Sequence, residues 1–429
     1  MSDFYFLARY QAAVPPAVSG IDGSIISPSG IAFHTLTRRS LNAPHLLRRL
    51  LDPQMYLATL NAGRCGSACV NLMSYGWFGA QLQQFDSGEQ KQKEWKDAAR
   101  ASVANLWPGV APTTQVDIRA AVQMCVTVQR DLGCEGIILP APLSTDPTSD
   151  YSTALSWLDC GLDVASQLAP GLPRLATIAI SDTCLRGIDP WSNSFLDIVV
   201  DQVSSRAPEG AYIVIEQAIE DSYYMTHANV AGSLMRIVYQ LKQGGVGRVV
   251  VAFAGTAGLL AVVAGADGWS SGWYRGQRRI RLSDFEEQEG RTVPSFYSHA
   301  FGGEIGLQND LDKMVGAGML AAVADSTPAS SGLMRALAGG ARCDSVPEWQ
   351  HRLGNKGAAI EHFLEVAVRE TRALSALSDA ERVARCTEWL TNAERLAADF
   401  YRFAPFDSRT SVYHQQPWRQ AVQAFIGNR

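Results

Sequence analysis

Apolar, β-branched runs alternate with helical stretches through the middle of this chain, most clearly at Arg248-Val-Val-Val-Ala-Phe-Ala-Gly-Thr-Ala-Gly258. A short Ala/Leu/Val segment then leads to Gly265-Ala-Asp-Gly-Trp-Ser-Ser-Gly272. Strands covered on both faces lose the polar alternation of a half-exposed strand, so this pattern predicts two successive βα turns of a parallel barrel. Strand runs begin near Gly136, Leu175, Ala211 and Arg248, at separations of 39, 36 and 37 residues, with helical patterns at 149–168, 192–205 and 226–243 between them. A recurring βα length predicts repeated units.

Shorter strands are expected at 267–271 and 292–297, and a first strand at 56–60 behind Pro53, which leaves an eighth strand unidentified. Helices are expected at 95–106 and 114–132. Residues 1–55 are expected to cap one barrel end, with extended pieces at 4–10 and 29–35 and a helix at 40–51. Beyond Gly306 the sequence is Ala-rich and helical. Ser378-Asp-Ala-Glu381 has the form of a capping box ahead of Val383, Cys386, Trp389, Leu390, Ala393, Leu396, Ala397, Phe400 and Phe403 at helical spacing. A last amphipathic stretch at 418–426 suits docking on the barrel or on a partner chain. The expected fold is α/β: a (β/α)8-type, TIM-like barrel over 56–305, an N-terminal extension over 1–55 and a C-terminal helical subdomain over 306–429. A Rossmann-like open sheet competes, but Gly-x-Gly-x-x-Gly follows no early strand.

The composition, 47% hydrophobic and 18% charged over 429 residues, supplies a large core. A formal net charge of -5 argues against a sequence-independent grip on nucleic acid. No stretch approaches the roughly 20 apolar residues of a membrane span, and the N-terminus lacks a signal-peptide pattern, so a cytoplasmic location is expected. The scattered Cys65, Cys69, Cys125, Cys134, Cys160, Cys184, Cys343 and Cys386 suit reduced, buried thiols. No Cys/His set has zinc-site spacing, and neither a metal nor a cofactor is called for. Walker and His-Glu-x-x-His motifs are missing, which removes the NTPase and metalloprotease readings that rest on them.

In a parallel barrel, chemistry sits at the carboxyl ends of the strands. Those ends deliver Asn61 and Arg64, then Pro140, Ser144 and Asp146, Ser181 and Asp182, Glu216 and Gln217, Gly255 and Thr256, and Ser270 and Ser271. Asp182 and Glu216 fall on neighbouring strands, where one carboxylate raises the other's pKa and the two divide acid and base roles. The same residues also suit helix capping or pairing with Arg186, Arg275 or Arg278. Gly255, Thr256 and Gly258 open a helix after a strand, as a phosphate cradle does and as any tight βα turn does. Trp273 and Tyr274 beside Arg275 and Arg278 combine base stacking with phosphate binding. His299 follows the last strand and is the one histidine kept as an acid/base candidate; a hydrogen-bonded structural histidine is the competing role.

The Gly265-Ala-Asp-Gly-Trp-Ser-Ser block, followed by Arg275-Gly-Gln-Arg-Arg279, resembles the late barrel strand of tRNA-guanine transglycosylase-like proteins, where Gly-x-Asp-x-x-Asp precedes an arginine-containing loop. In layout the resemblance spans residues 52–301. It places Asp267 at the family's first aspartate and Ser270 at its catalytic aspartate. Serine cannot form the same glycosyl-enzyme intermediate, so that chemistry would be lost or would pass to a residue such as Glu216. The family's zinc-binding cysteine cluster is missing as well. The resemblance implies action on a glycosyl or nucleobase-ribose bond and a nucleic acid or nucleotide-like ligand, with Asp267 as a catalytic candidate; Asp182 and Glu216 are catalytic candidates from their strand-end placement. The opposing expectation is a barrel without catalysis, serving as an interaction subunit that meets a partner protein through its C-terminal helices.

Overall fold

The computed structural model describes residues 5–10, 16–78, 101–148, 151–219, 222–287, 294–350, 357–407 and 410–429. Eight strands form one parallel sheet: β1 (Tyr5–Tyr10), β2 (Gly23–Ile26), β3 (Arg49–Leu51), β4 (Ile137–Ile138), β5 (Arg174–Ser181), β6 (Gly210–Glu216), β7 (Arg248–Ala252) and β8 (Gly268–Ser271). Their order, β3-β2-β1-β8-β7-β6-β5-β4, is chain order taken round a cylinder. The two outer strands meet where the Glu135 amide donates to the Arg49 carbonyl at 3.0 Å. The fold is a (β/α)8 barrel. Its central strands β5 and β6 are apolar along almost their whole length because helices cover the outside and side chains fill the inside.

The covering helices include α1 (Gly66–Met73), α2 (Gln115–Asp131), α3 (Ser152–Leu168), α4 (Ser194–Ser205), α5 (Ala228–Gln243) and α6 (Gly258–Val263). Local chemistry sets several of their starts. The Thr114 hydroxyl accepts from the Asp117 amide at 3.2 Å, and the Asn193 side chain accepts from Phe195 at 3.1 Å. Of the helix expected at 95–106, residues 101–106 are helical and the rest lies outside the described residues.

Residues 1–55, expected as a cap, supply β1, β2 and β3, and so fill the barrel places that pattern reading left open. The stretch 56–60 is no strand. Gln54 adopts a left-handed φ of 55°, its amide bonds Asp52 at 3.1 Å, and Met55–Leu57 continue as a 3-10 turn. Residues 29–35 likewise form turns and a short helix rather than an extended piece, and 40–51 divides into a helical turn, Pro44–Leu47, and β3. At 292–297 the described part belongs to β9 (Ser295–Ser298), which pairs antiparallel with β10 (Gly303–Gly306) outside the barrel. An apolar run fits any buried strand, and partner choice is a tertiary matter.

The C-terminal region is helical, with α7 (Gly357–Ser375), α8 (Asp379–Tyr401) and α9 (Gln415–Asn428). The Ser378/Glu381 capping box starts α8 as expected. Phe296, Phe301, Leu311, Trp349 and Phe400 form a second core beneath it. Trp269 Nε1 donates to Thr371 Oγ1 at 2.9 Å, which ties β8 to α7. The tail helix packs on α5 and α8, where Trp418 Nε1 reaches the Met225 carbonyl at 2.8 Å, so it docks on its own barrel. All eight cysteines are free and buried. Among the described residues no helix is long and apolar enough to cross a membrane.

Gly258 shows how tightly β8 and α6 approach, since a Cβ there would lie 2.2 Å from the Trp269 ring. Replacing Gly258 with Ala is therefore expected to cost about 1–3 kcal/mol, read as a lower urea midpoint with an unchanged slope.

Candidate functional site

Two polar groups occupy the carboxyl-terminal half of the barrel. The first was not read from sequence. Arg9, next to last in β1, is fully buried and bonds Ser27 Oγ at 2.6 Å, Asp52 Oδ2 at 3.0 Å and the Tyr212 hydroxyl at 3.1 Å. Asp52 follows β3 directly, and its Oδ2 also accepts the hydroxyls of Tyr56 at 2.5 Å and Tyr212 at 2.8 Å. Burial, with the neighbouring Asp52 charge, pushes both tyrosines well above their ordinary range, so they remain protonated donors. The guanidinium lies 3.4 Å from the centroid of Phe253, whose φ of 51° is left-handed. A bulky residue in that region is strained, as is Gln54 beside Asp52, and both are held there by contacts to this pair. The signal for this group lay in a lone Arg at an inward position of an alternating strand and in an Asp closing a short apolar run. Neither stood out while β1 and β3 were read as a cap.

The second group is the expected one. Ser181 and Glu216 are register partners at the ends of β5 and β6, and their side chains share a hydrogen bond. Asp182 is held from three sides: Arg186 Nε at 2.9 Å on Oδ2, and the amides of Ala218 at 3.1 Å and Ile219 at 3.4 Å on Oδ1. Asp182 thus pairs with Arg186 and also lies near enough for its charge to act on Glu216. Burial raises the Glu216 pKa, the charge of Asp182 raises it further, and the hydrogen bond from Ser181 opposes them.

Residues 272–282 run across this end of the barrel. Gly272 accepts no side chain because Gln277 lies against it, the Gln217 amide donates to the Ile280 carbonyl at 2.8 Å, and Glu216 bridges to Ile280. In this segment Arg275 and Arg278 both close on Glu304, each at 2.6 Å, and Arg279 closes on Asp284 at 2.8 Å. Burial alone would raise the Glu304 pKa, and the two guanidiniums overcome it and hold it below the usual carboxylate range. Arg278 also stacks over Phe363 at 3.4 Å, and Trp273 is buried beside Tyr274.

The remaining candidates divide by position. Gly255 has a left-handed φ of 51° in the turn after β7, Thr256 is buried beside it, and Gly258 leaves room for the Trp269 ring. Ser270 and Ser271 are buried in β8, with Ser271 donating to the Gly272 carbonyl at 3.0 Å. Asp267 lies at the opposite, amino end of β8, where it accepts from the Val249 amide at 2.7 Å and pairs with Lys242 at 2.9 Å. Asn61 is exposed and folds a turn by accepting from the Gly63 amide at 2.9 Å. His299 is drawn to the C-terminal helices, with Nε2 3.1 Å from Glu370 and its ring stacked on Trp389. Burial lowers the His299 pKa, while Glu370 and Asp325 act in the other direction.

The chain matches no protein-family model and no curated protein. Among the described residues, no three His, Cys, Asp or Glu side chains gather as a metal site.

Two outcomes follow from these groups. Asp52→Asn leaves the Arg9 charge buried without its carboxylate and is expected to cost about 3–5 kcal/mol in urea unfolding, most of it recovered when Arg9 is also replaced by Met. For Glu216 the folded pKa lies above the unfolded one, so its contribution to stability is complete below the unfolded value of about 4.3 and is lost as pH rises through the folded value. Glu216→Gln should therefore match the wild type in Tm near pH 4 and exceed it at neutral pH. A Tm difference that shrinks as pH rises would contradict the assignment.

Proposed function

We propose that the barrel is an enzyme acting on a glycosyl or nucleobase-ribose bond, with Glu216 as the proton-handling group. The observation that carries this reading is a buried carboxyl at the end of β6, hydrogen-bonded to Ser181 and with its pKa raised by burial and by the charge of a second carboxyl, Asp182, whose position is fixed by Arg186 and two backbone amides. Environments that push two neighbouring carboxyl groups apart are the usual basis for dividing acid from base work. Protonated Glu216 delivers its proton to the leaving oxygen or nitrogen as the bond to the anomeric carbon breaks and the bonding electrons leave with that group. The positive charge that develops on the sugar faces the Glu216 carboxylate. The acceptor then adds to the anomeric carbon and returns a proton to Glu216. Asp182 is a positioning residue that acts through Glu216. The likeness of the Gly265–Gly272 block to transglycosylase-like proteins supports the same bond class, with Ser270 where that family has its nucleophile.

An interaction role is the second reading. It is supported by the exposure of Tyr401, Phe403 and Tyr413, at 65%, 68% and 80%, around the end of α8 and the approach to α9.

The deciding assay follows base release from a panel of nucleosides, and labelled-base exchange into tRNA, by chromatography with the full chain. Glu216→Gln is expected to lower the rate by about 10²–10⁴-fold without lowering Tm. An unchanged rate in that variant removes Glu216 from the chemistry. No turnover on any substrate leaves the interaction reading.

A further inference from the structure

Three histidines grip one hairpin. The pair β9 and β10 lies outside the barrel, and two strands alone have little stability of their own, so the contacts that seat them decide whether they stay. His362 of α7 places Nε2 2.7 Å from the Tyr297 carbonyl and stacks on Phe296, with ring centroids 4.7 Å apart. His414, directly before α9, places Nε2 2.7 Å from the Gly302 carbonyl and stacks on Tyr224 at 4.0 Å. His299 stands in the hairpin turn, with Nε2 on Glu370 and its ring on Trp389. The same hairpin carries Glu304, which through Arg275 and Arg278 holds residues 272–282 across the barrel mouth. The Leu282 amide of that segment bonds Glu216.

The partners fix the charge state that each ring needs. Carbonyl and carboxylate oxygens only accept, so Nε2 carries the hydrogen in all three rings, and in the neutral form Nδ1 is an acceptor. Nδ1 of His362 meets the Thr327 hydroxyl at 2.9 Å, whereas the buried Nδ1 atoms of His299 and His414 have no hydrogen-bond partner among the described residues. Protonation turns each Nδ1 into a charged donor. Two of them then face no acceptor, and the third faces a hydroxyl that must reverse its own hydrogen. Around His299, Glu370 and Asp325 favour protonation while Arg369 and Arg385 oppose it, and the buried Cys386 thiol lines the same cavity. His362 faces Asp325, Glu365 and Arg369, and His414 faces Glu304 and Tyr224. Burial outweighs these carboxylates and lowers all three pKa values, that of His414 to about 4.

We propose that acid undocks the β9–β10 hairpin ahead of the barrel and so frees residues 272–282 from the barrel mouth. Phe296, Phe301 and Ile305 of the hairpin pack in the second core, apart from the barrel core, which allows one to open while the other stays closed. Each histidine supports the closed hairpin fully above its unfolded pKa of about 6.5, and that support is lost as pH falls from there toward the folded value. For His414 alone this shifts the opening equilibrium by about 30-fold at pH 5. The device governs access to the mouth and does not depend on the chemistry done there.

Hydrogen–deuterium exchange of the full chain, read by mass spectrometry near pH 7.5 and near pH 5 at times scaled for the intrinsic rates, tests the proposal. Peptides covering 272–282 and 295–306 are expected to lose protection by at least about 30-fold at the lower pH, while β5, β6 and β7 keep theirs. His414→Gln keeps a donor for the Gly302 carbonyl but cannot titrate, and is expected to reduce the loss by about 30-fold. His362→Gln and His299→Gln, added to it, should reduce the loss further. If His414→Gln lacks wild-type protection near pH 7.5, the other two single variants carry the same test, each with a smaller loss than the wild type. Full protection of both segments near pH 5 overturns the proposal, as does a loss shared equally by β5, β6 and β7. A loss that the glutamine variants leave undiminished also overturns it.

Discussion

The Arg9–Asp52 pair is the constraint around which this barrel is arranged. Two opposite charges without solvent are tolerable only when nearly every donor and acceptor between them is used. Here β1 gives the cation, the residue after β3 gives the anion, Ser27 after β2 takes one guanidinium nitrogen, and Tyr212 reaches in from β6. Four of eight strands are thereby tied to one point, with Tyr56 closing the shell from the turn that follows β3. The cation also lies against Phe253 at the end of β7. The left-handed backbones of Gln54 and Phe253 are stable because the pair over-determines them.

With the strand ends held in this way, β5 and β6 present their last residues on a fixed frame. Glu216 and Ser181 are in register, and Asp182 turns back to anchor the chain after β6 through the amides of Ala218 and Ile219. The low exposure that raises the Glu216 pKa comes partly from residues 272–282, which Glu304 anchors through Arg275 and Arg278. The C-terminal region therefore reaches the candidate site through charge as well as packing. Glu304 stands in β10, outside the barrel, yet it orders the loop that covers the barrel mouth. The same arrangement engages the arginines that, read alone, suggest an anion site.

How much of this was legible varies with the range of the interaction. The strands β5, β6 and β7, and helices α2 to α5, were readable because apolar runs of strand length and 3.6-residue stripes are local properties. The capping box of α8 was readable for the same reason. Asp182 and Glu216 followed from one topological rule, that chemistry sits where barrel strands end. The first three strands were not readable. They are short, β3 spans only Arg49–Leu51, and they are set among turns whose pattern resembles a cap. Asp267 entered as a candidate through the family resemblance, which does not show that it lies before β8 while Ser270 lies within it. Tyr212 was not singled out, because a tyrosine within a buried strand has no marker of its hydroxyl's partner.

By itself the sequence determined the fold class, the repeat of βα units, the helical C-terminus and which strand ends carry carboxylates, because each is written in residue type and spacing along the chain. Only the tertiary structure decided which short runs join the barrel and which carboxylates meet arginine. It also decided where Arg9 finds its counter-charge. Those outcomes depend on side chains brought together from distant positions, such as Arg9 with Tyr212 or Arg278 with Glu304, and on the exclusion of water around them. Burial raises the Glu216 pKa above that of an ordinary glutamate, and burial is a property of the folded surface rather than of any local stretch of chain.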